Sequence, residues 1–325
     1  MRKTILAASL LAALVSCHSG GGNNVQEETY VSDVPAFCED SAYSYVAAQC
    51  DFGPRTVNSE AHDACGDYIA EKFRSFGAEV TEQYADTKLY DGTPVRLRNI
   101  VASYNPDTPV RLLVCAHWDS RPWADHDDNE ANQRTPIDGA NDGASGVGVM
   151  LELARQIQQT APAVGIDFIC FDAEDCGMPQ WADDGGNHES TWCLGSQHWA
   201  SFRHKDGYMA RYGILLDMVG GSSSLFCKEG FSMHFAPGVV DKIWAAARRI
   251  GYSHYFVNES GGYVTDDHVP VNRSGIPCVD IIASDAEDGG FCGTWHTVDD
   301  NLAHISRQTL KAVGQTMMEV IYNEK

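Results

Sequence analysis

Short, nearly continuous apolar runs alternate along this chain with longer stretches in which apolar residues return at helical spacing. The runs "VRLRNIVASY" (95–104), "VRLLVCAHWDS" (110–120), "GIDFICFDAED" (165–175), "YGILLDMVGG" (212–221) and "IPCVDIIAS" (276–284) predict strands. Helical spacing predicts helices in "ASGVGVMLELARQIQQT" (144–160), "GVVDKIWAAARRIGY" (238–252) and "SRQTLKAVGQTMMEVIYN" (306–323), with a short one over "GSQHWASFRH" (195–204). A further amphipathic helix is predicted in "SEAHDACGDYIAEKFRSFGAEV" (59–80), with Ser59 as N-cap and Gly77 as the residue just past its end. Alternating strands and helices imply an α/β fold in one domain. Its centre is a mixed, mostly parallel twisted sheet with helices on both faces.

In such sheets ligands gather beyond the carboxyl ends of the strands. Polar residues stand at those places repeatedly: His117 and Asp119, then Glu174 and Asp175, then Asp217. The glycine-rich turn "DGANDGASG" (138–146) adds Asp142 just before a helix, and "TDDHVP" (265–270) and "TWHTVDDN" (294–301) add Asp266 and His296. Adjacent carboxylates such as Glu174 and Asp175 resist joint ionisation unless a cation or a shared proton relieves them. A zinc ion, which takes one His and two carboxylates and keeps a fourth position open, supplies that relief, and the spare carboxylate can act as acid or base. Each residue alone has an ordinary role: His117 as a core histidine, Asp142 as a helix cap, Asp217 as a loop hydrogen-bond acceptor. The ordered series at successive strand ends is what points to chemistry. Ser145 in "GASGVG" misses the G-x-S-x-G elbow, no H-E-x-x-H helix is present, and no C-x-x-C pair suggests a thiolate zinc site.

Composition alters the picture mainly at the N-terminus. "MRKTILAASLLAALVSC" has a positive start, Arg2 and Lys3, and an apolar stretch over 5–15 that is too short to span a bilayer. The ending "LVSC" resembles a bacterial lipobox. The expected organisation is a lipoprotein signal peptide (1–16), a flexible tether (17–35) starting at a lipidated Cys17, and a catalytic domain (36–325). That predicts an exported protein on the periplasmic side of a bacterial envelope membrane, touching the membrane only through its anchor. Export would permit disulfides, although Cys115 and Cys170 sit in strand-like runs and read as buried thiols. A net charge of −22 argues against nucleic-acid partners. No interface pattern is evident, so a monomer is expected.

Taken together, "PRTVNSEAH", "CAHWDS", "GANDGASGVGVMLELAR", "FDAED", "LLDMVG", "TDDHVP" and "TWHTVDDN" resemble the zinc exopeptidase superfamily, from about Phe52 to the end of the chain. They are more similar to its single-zinc branch, the bacterial glutaminyl cyclases, a group of acyltransferases. The resemblance implies one Zn2+ held by Asp142, Asp175 and His296, with Glu174 as acid–base residue and Asp217 and Asp266 sharing hydrogen bonds near it. It implies a substrate pocket walled by Trp295 and by Trp181, with Trp192 as the competing position. The implied substrates are peptides or proteins with N-terminal glutamine, converted to pyroglutamate with release of ammonia. The alternative is a di-zinc aminopeptidase, in which His117 and Asp217 complete a second metal site bridged by Asp142.

Overall fold

The apolar strands that carry the candidate residues lie side by side and parallel in the middle of one eight-stranded sheet. This computed structural model describes residues 30–284 and 290–325, and residues 32–325 form one unit. The expected signal peptide, Cys17 and most of the expected tether lie outside the described residues. In chain order the elements are α1 (Glu39–Cys50), α2 (Glu60–Ser75), β1 (Glu79–Lys88), β2 (Pro94–Tyr104), β3 (Arg111–His117), α3 (Ala144–Gln159), β4 (Gly165–Phe171) and α4 (Leu194–Ser201). Then follow β5 (Tyr212–Asp217), β6 (Leu225–Lys228), α5 (Gly230–Phe235), α6 (Pro237–Arg249), β7 (Phe256–Ser260), α7 (His268–Arg273), β8 (Cys278–Ser284) and α8 (Arg307–Tyr322).

The strand order is β1-β2-β4-β3-β5-β8-β6-β7. The pairs β4–β3, β3–β5, β5–β8 and β6–β7 are parallel, and the other three are antiparallel. The sheet is therefore the mixed, mostly parallel one that the sequence predicts. Register sets the rim: His117 pairs with Phe171, and Asp217 with Ile282, so the ends of β3, β4, β5 and β8 finish together. The strand after β3 lies on one side of it and the next on the other, so the chain switches direction at β3, where α/β sheets open a crevice.

Side-chain alternation along the central strands divides the core in two. Leu112 and Val114 belong to the larger cluster, packed with α1, α3 and α8, while Leu113 and Cys115 belong to a smaller one with Trp199 and Val271 from α4 and α7. Ser59 caps α2 by accepting from the His62 N–H, and Gly77 adopts φ +84°, as the sequence indicates. Several boundaries differ from expectation. Glu79 and Val80 open edge strand β1 rather than trailing the helix, and α4 ends at Ser201. The polar, half-exposed strand β1 and the short β6 and β7 carry too little apolar signal to be read from sequence alone. All ten described cysteines are free thiols.

Helix α3 approaches β5 closely through Gly146, where an added Cβ would meet the Leu216 carbonyl oxygen at 2.2 Å. Gly146→Ala is expected to destabilise the fold by roughly 2–3 kcal/mol through overpacking, because backbone on both sides must move. A fall in thermal midpoint of a few degrees would show it, and an unchanged midpoint would mean that α3 slides freely on the sheet.

Candidate active site and metal centre

After β4 the chain turns sharply. Ala173 takes φ +54°, and the buried Asp172 carboxylate accepts from the Arg98 and Ala173 N–H groups and bonds His62 Nε2 at 2.8 Å. The Asp119 carboxylate, two residues past β3, accepts the N–H groups of Glu174 (3.1 Å) and Asp175 (3.2 Å). One strand end thereby positions the acidic pair of another. Asp142 is fixed similarly: Asp300 accepts the N–H groups of Asn141 (2.8 Å) and Asp142 (3.1 Å). Gly143 is needed beside it, since a Cβ there would meet the His117 carbonyl oxygen at 2.4 Å. Arg121 forms a buried fork with Asp125, both contacts 2.6 Å, and donates to the Asp175 carbonyl at 3.0 Å.

These supports bring two overlapping sets together. In the first, His296 Nε2 lies 3.0 Å from Asp175 Oδ1 and 3.7 Å from Asp142 Oδ2. In the second, His117 Nε2 lies 2.8 Å from Asp142 Oδ1 and 3.3 Å from Asp217 Oδ1. Within each set the potential ligand atoms all lie within 4.8 Å of one another. Asp175 Oδ2 is buried without a hydrogen-bond partner, as is Asp217 Oδ1. In each set a histidine nitrogen faces two carboxylates, one of them with an unmet oxygen, a donor set that fits zinc.

The two histidines differ in their surroundings. Burial holds His296 well below its usual pKa, and the positive charges of Arg121, His126 and His117 add to this, which favours the neutral ring that a metal ligand needs. Burial also opposes charge on His117, but the facing carboxylates of Asp119, Asp142 and Asp217 outweigh it and hold the ring well above its usual pKa. Burial raises Glu174 well above the ordinary carboxyl range, helped by Asp266, Asp175 and Asp267 and opposed by His117. Burial and the nearby Asp217 push Asp266 up to about 7.

A cavity of about 550 Å³ opens over this floor, with Glu174, Asp217 and Asp266 among its lining. Trp295 stacks on His296 at 3.7 Å, and Trp192 lies parallel to the same ring at 6.0 Å with Arg121 against its face. Trp181 does not line the cavity. It is 37% exposed, edge-on to Trp123 and under Arg134. Its expected place as pocket wall is taken by Trp192. The physical reason is Gly177, where a Cβ would meet the indole of Trp192 at 1.9 Å, so only glycine lets that ring fold back over the metal triad. Asp217 also departs from expectation: it faces His117, whereas the side-chain hydrogen bond to Glu174 comes from the Cys193 thiol. Asp125 and Cys193 were not readable as site residues, because nothing in their local sequence marks them, while Arg121, which from its place after "HWDS" could equally have lain exposed, is buried in the cavity lining.

The model of peptidase family M28 matches residues 99–321. The chain belongs to that family. It is similar to the solved structure of Bacteroides thetaiotaomicron glutaminyl cyclase bound to N-acetylhistamine, at 56% identity and a TM-score of 0.88, covering 90% of this chain and 100% of that one. It is 27% identical over 352 residues to the glutaminyl-peptide cyclotransferase of Bos taurus, covering 96% of this chain and 93% of the relative. It is also 29% identical over 259 residues to aminopeptidase YwaD of Bacillus subtilis, covering 76% of this chain. The chain spans about half (49%) of that aminopeptidase's length and nearly all of the bovine cyclotransferase's. This M28 protein is thus an enzyme of a zinc-dependent family with the zinc-exopeptidase fold. Trp192→Ala is expected to raise KM about tenfold or more by opening the aromatic wall, with a smaller effect on kcat, as steady-state kinetics would show. An unchanged KM would remove Trp192 from substrate contact.

Proposed function

We propose that this M28 enzyme is a glutaminyl-peptide cyclotransferase, converting N-terminal glutamine of peptides or proteins to pyroglutamate and ammonia with one zinc ion per chain. The observation that carries the proposal is the contrast between the histidines. His117 is ringed by three carboxylates, Asp142 at 2.8 Å, Asp217 at 3.3 Å and Asp119 at 3.4 Å. Those carboxylates answer the His117 ring directly, whereas the His296 ring, 3.0 Å from Asp175 Oδ1, is pushed toward its neutral form by burial and leaves Asp175 Oδ2 without a partner. The similarity to two glutaminyl cyclotransferases along most of their lengths supports the same reading.

Zinc held by Asp142, Asp175 and His296 would supply Lewis acidity toward the γ-carbonyl oxygen of the glutamine. Glu174 ligates nothing in that set and lies in the cavity lining. It takes a proton from the substrate's free α-amine as that nitrogen attacks the γ-carbonyl carbon and closes the five-membered ring. It returns that proton to the amide nitrogen, and the carbon–nitrogen bond breaks to release ammonia. Burial and neighbouring carboxylates raise its pKa toward the range useful for both steps. Trp192 and Trp295 hold the side chain folded over its own amine and keep water from competing.

One observation favours a second reading, hydrolysis by a di-zinc aminopeptidase: the ligand atoms of His117, Asp142 and Asp217 also lie within 4.8 Å of one another. The purified protein given Gln-β-naphthylamide and Leu-p-nitroanilide separates the two. Pyroglutamyl product and ammonia support cyclisation, whereas rapid nitroaniline release without cyclisation overturns it. The proposal extends to place: an exported monomer tethered through Cys17. Fatty-acid labelling that persists in Cys17→Ala would refute the anchor.

A further inference from the structure

The loop that carries Trp192 separates two cavities. The second, of about 530 Å³, is lined by Trp192, Cys193, Gln197 and Arg273 among others, and Glu189, Trp192 and Thr265 belong to both. Cys193 opens α4 in a left-handed turn (φ +55°), and its thiol donates to Glu174 Oε1 at 3.3 Å. A carboxylate oxygen of Asp266 lies within 4.8 Å of both ligand atoms. All three residues are buried, Cys193 at 2% exposure and Asp266 at 3%. Asp266 is held by the Asp267 N–H on Oδ1, while its Oδ2 is buried without any hydrogen-bond partner.

We propose that Glu174, Cys193 and Asp266 form a separate site for a thiophilic divalent cation, zinc in excess or cadmium. It shares no side chain with the Asp142, Asp175 and His296 set or with the His117, Asp142 and Asp217 set. Ligands of one tetrahedral zinc ion with bonds of about 2.0 Å to oxygen and 2.3 Å to sulfur stand about 3.5 Å apart. The thiol–carboxylate separation of 3.3 Å already fits, and an Asp266 oxygen stands within 4.8 Å of both atoms. One oxygen of the buried Asp266 carboxylate, Oδ2, has no competing bond. A sulfur ligand selects zinc and cadmium over magnesium and calcium. Binding is an exchange without redox change: the metal–sulfur bond forms as the S–H bond breaks, and that proton, with any carried by the two carboxyl groups, leaves to solvent. Because the cation occupies Glu174, it stops proton transfer in either reaction open to this site. The inhibition thus rests on Glu174 as acid–base residue, and the binding does not.

The test uses the zinc-loaded protein freed of excess metal. Cadmium is titrated while the ultraviolet thiolate-to-cadmium charge-transfer band is read, and zinc inhibition is measured on whichever substrate is turned over. The expected result is a band component that is lost in Cys193→Ser. The zinc concentration for half-inhibition should rise about tenfold or more in both Cys193→Ser and Cys193→Ala, each compared with its own uninhibited rate. Near-ultraviolet circular dichroism checks that the variants fold, and the near-isosteric serine serves if alanine does not. Equal half-inhibition and an unchanged band in the variants would overturn the proposal. So would relief of inhibition by His117→Gln but not by the Cys193 variants. Cadmium bound at Cys193 without loss of rate would keep the site and refute the role of Glu174.

Discussion

Glu174→Gln is expected to lower kcat about 10³-fold, within the range that a positioned acid–base group contributes, while zinc content stays that of the parent. The amide keeps the shape of the carboxyl group but cannot take a proton from the attacking amine and pass it to the leaving nitrogen. Zinc should remain because its three proposed ligands, Asp142, Asp175 and His296, are untouched. Folding should survive as well. Burial and the charges of Asp266, Asp175 and Asp267 all disfavour the anionic form of Glu174, so a neutral amide suits the position electrostatically. KM should change little, because the residue acts on protons and not on binding. Turnover near that of the parent would remove Glu174 from its role under either reaction.

The second large effect is on the metal. His296→Ala is expected to bring zinc to near zero per chain and turnover to background, because two carboxylates alone hold zinc poorly against water. A chelator should reproduce the loss, and added zinc should restore activity to the parent but not to the variant. The thermal midpoint should follow the metal: without zinc, Asp142 and Asp175 repel across a buried gap, and a ligand that binds only the folded state stabilises it. The paired measurement is His117→Gln. Under cyclisation it keeps about one zinc per chain, whereas under the di-zinc reading the count falls from about two to one. Atomic absorption on the dialysed proteins decides between them. A His296→Ala protein with its full zinc content would sink the metal assignment.

Local pattern carries unequal weight across this molecule. The central strands β3, β4, β5 and β8 are legible because burial on both faces leaves nearly continuous Val, Ile, Leu and Phe. The edge strand β1, "EVTEQYADTK", is not, since one face meets solvent and its pairing to β2 comes from backbone bonds that any side chains permit. The acidic pair at Glu174 and Asp175 stands out because two carboxylates at the end of an apolar strand are costly unless something relieves them. The tryptophan that walls the cavity is a different case. Trp181 and Trp192 occur in one polar loop, and only the space above Gly177 decides that Trp192 folds inward.

The sequence by itself determined the α/β plan, the rim on which chemistry gathers and the residue types able to hold zinc beside a free acid. These are properties of periodicity and side-chain chemistry, which neighbours along the chain largely set. Tertiary structure alone decided which groups face each other. Asp300 grips the backbone of Asp142 from 158 positions away, Asp119 holds the acidic pair from 55 and 56, and Cys193 reaches Glu174 across 19. It also shifted the two histidines in opposite directions, because a buried ring's protonation depends on charges brought near it through space.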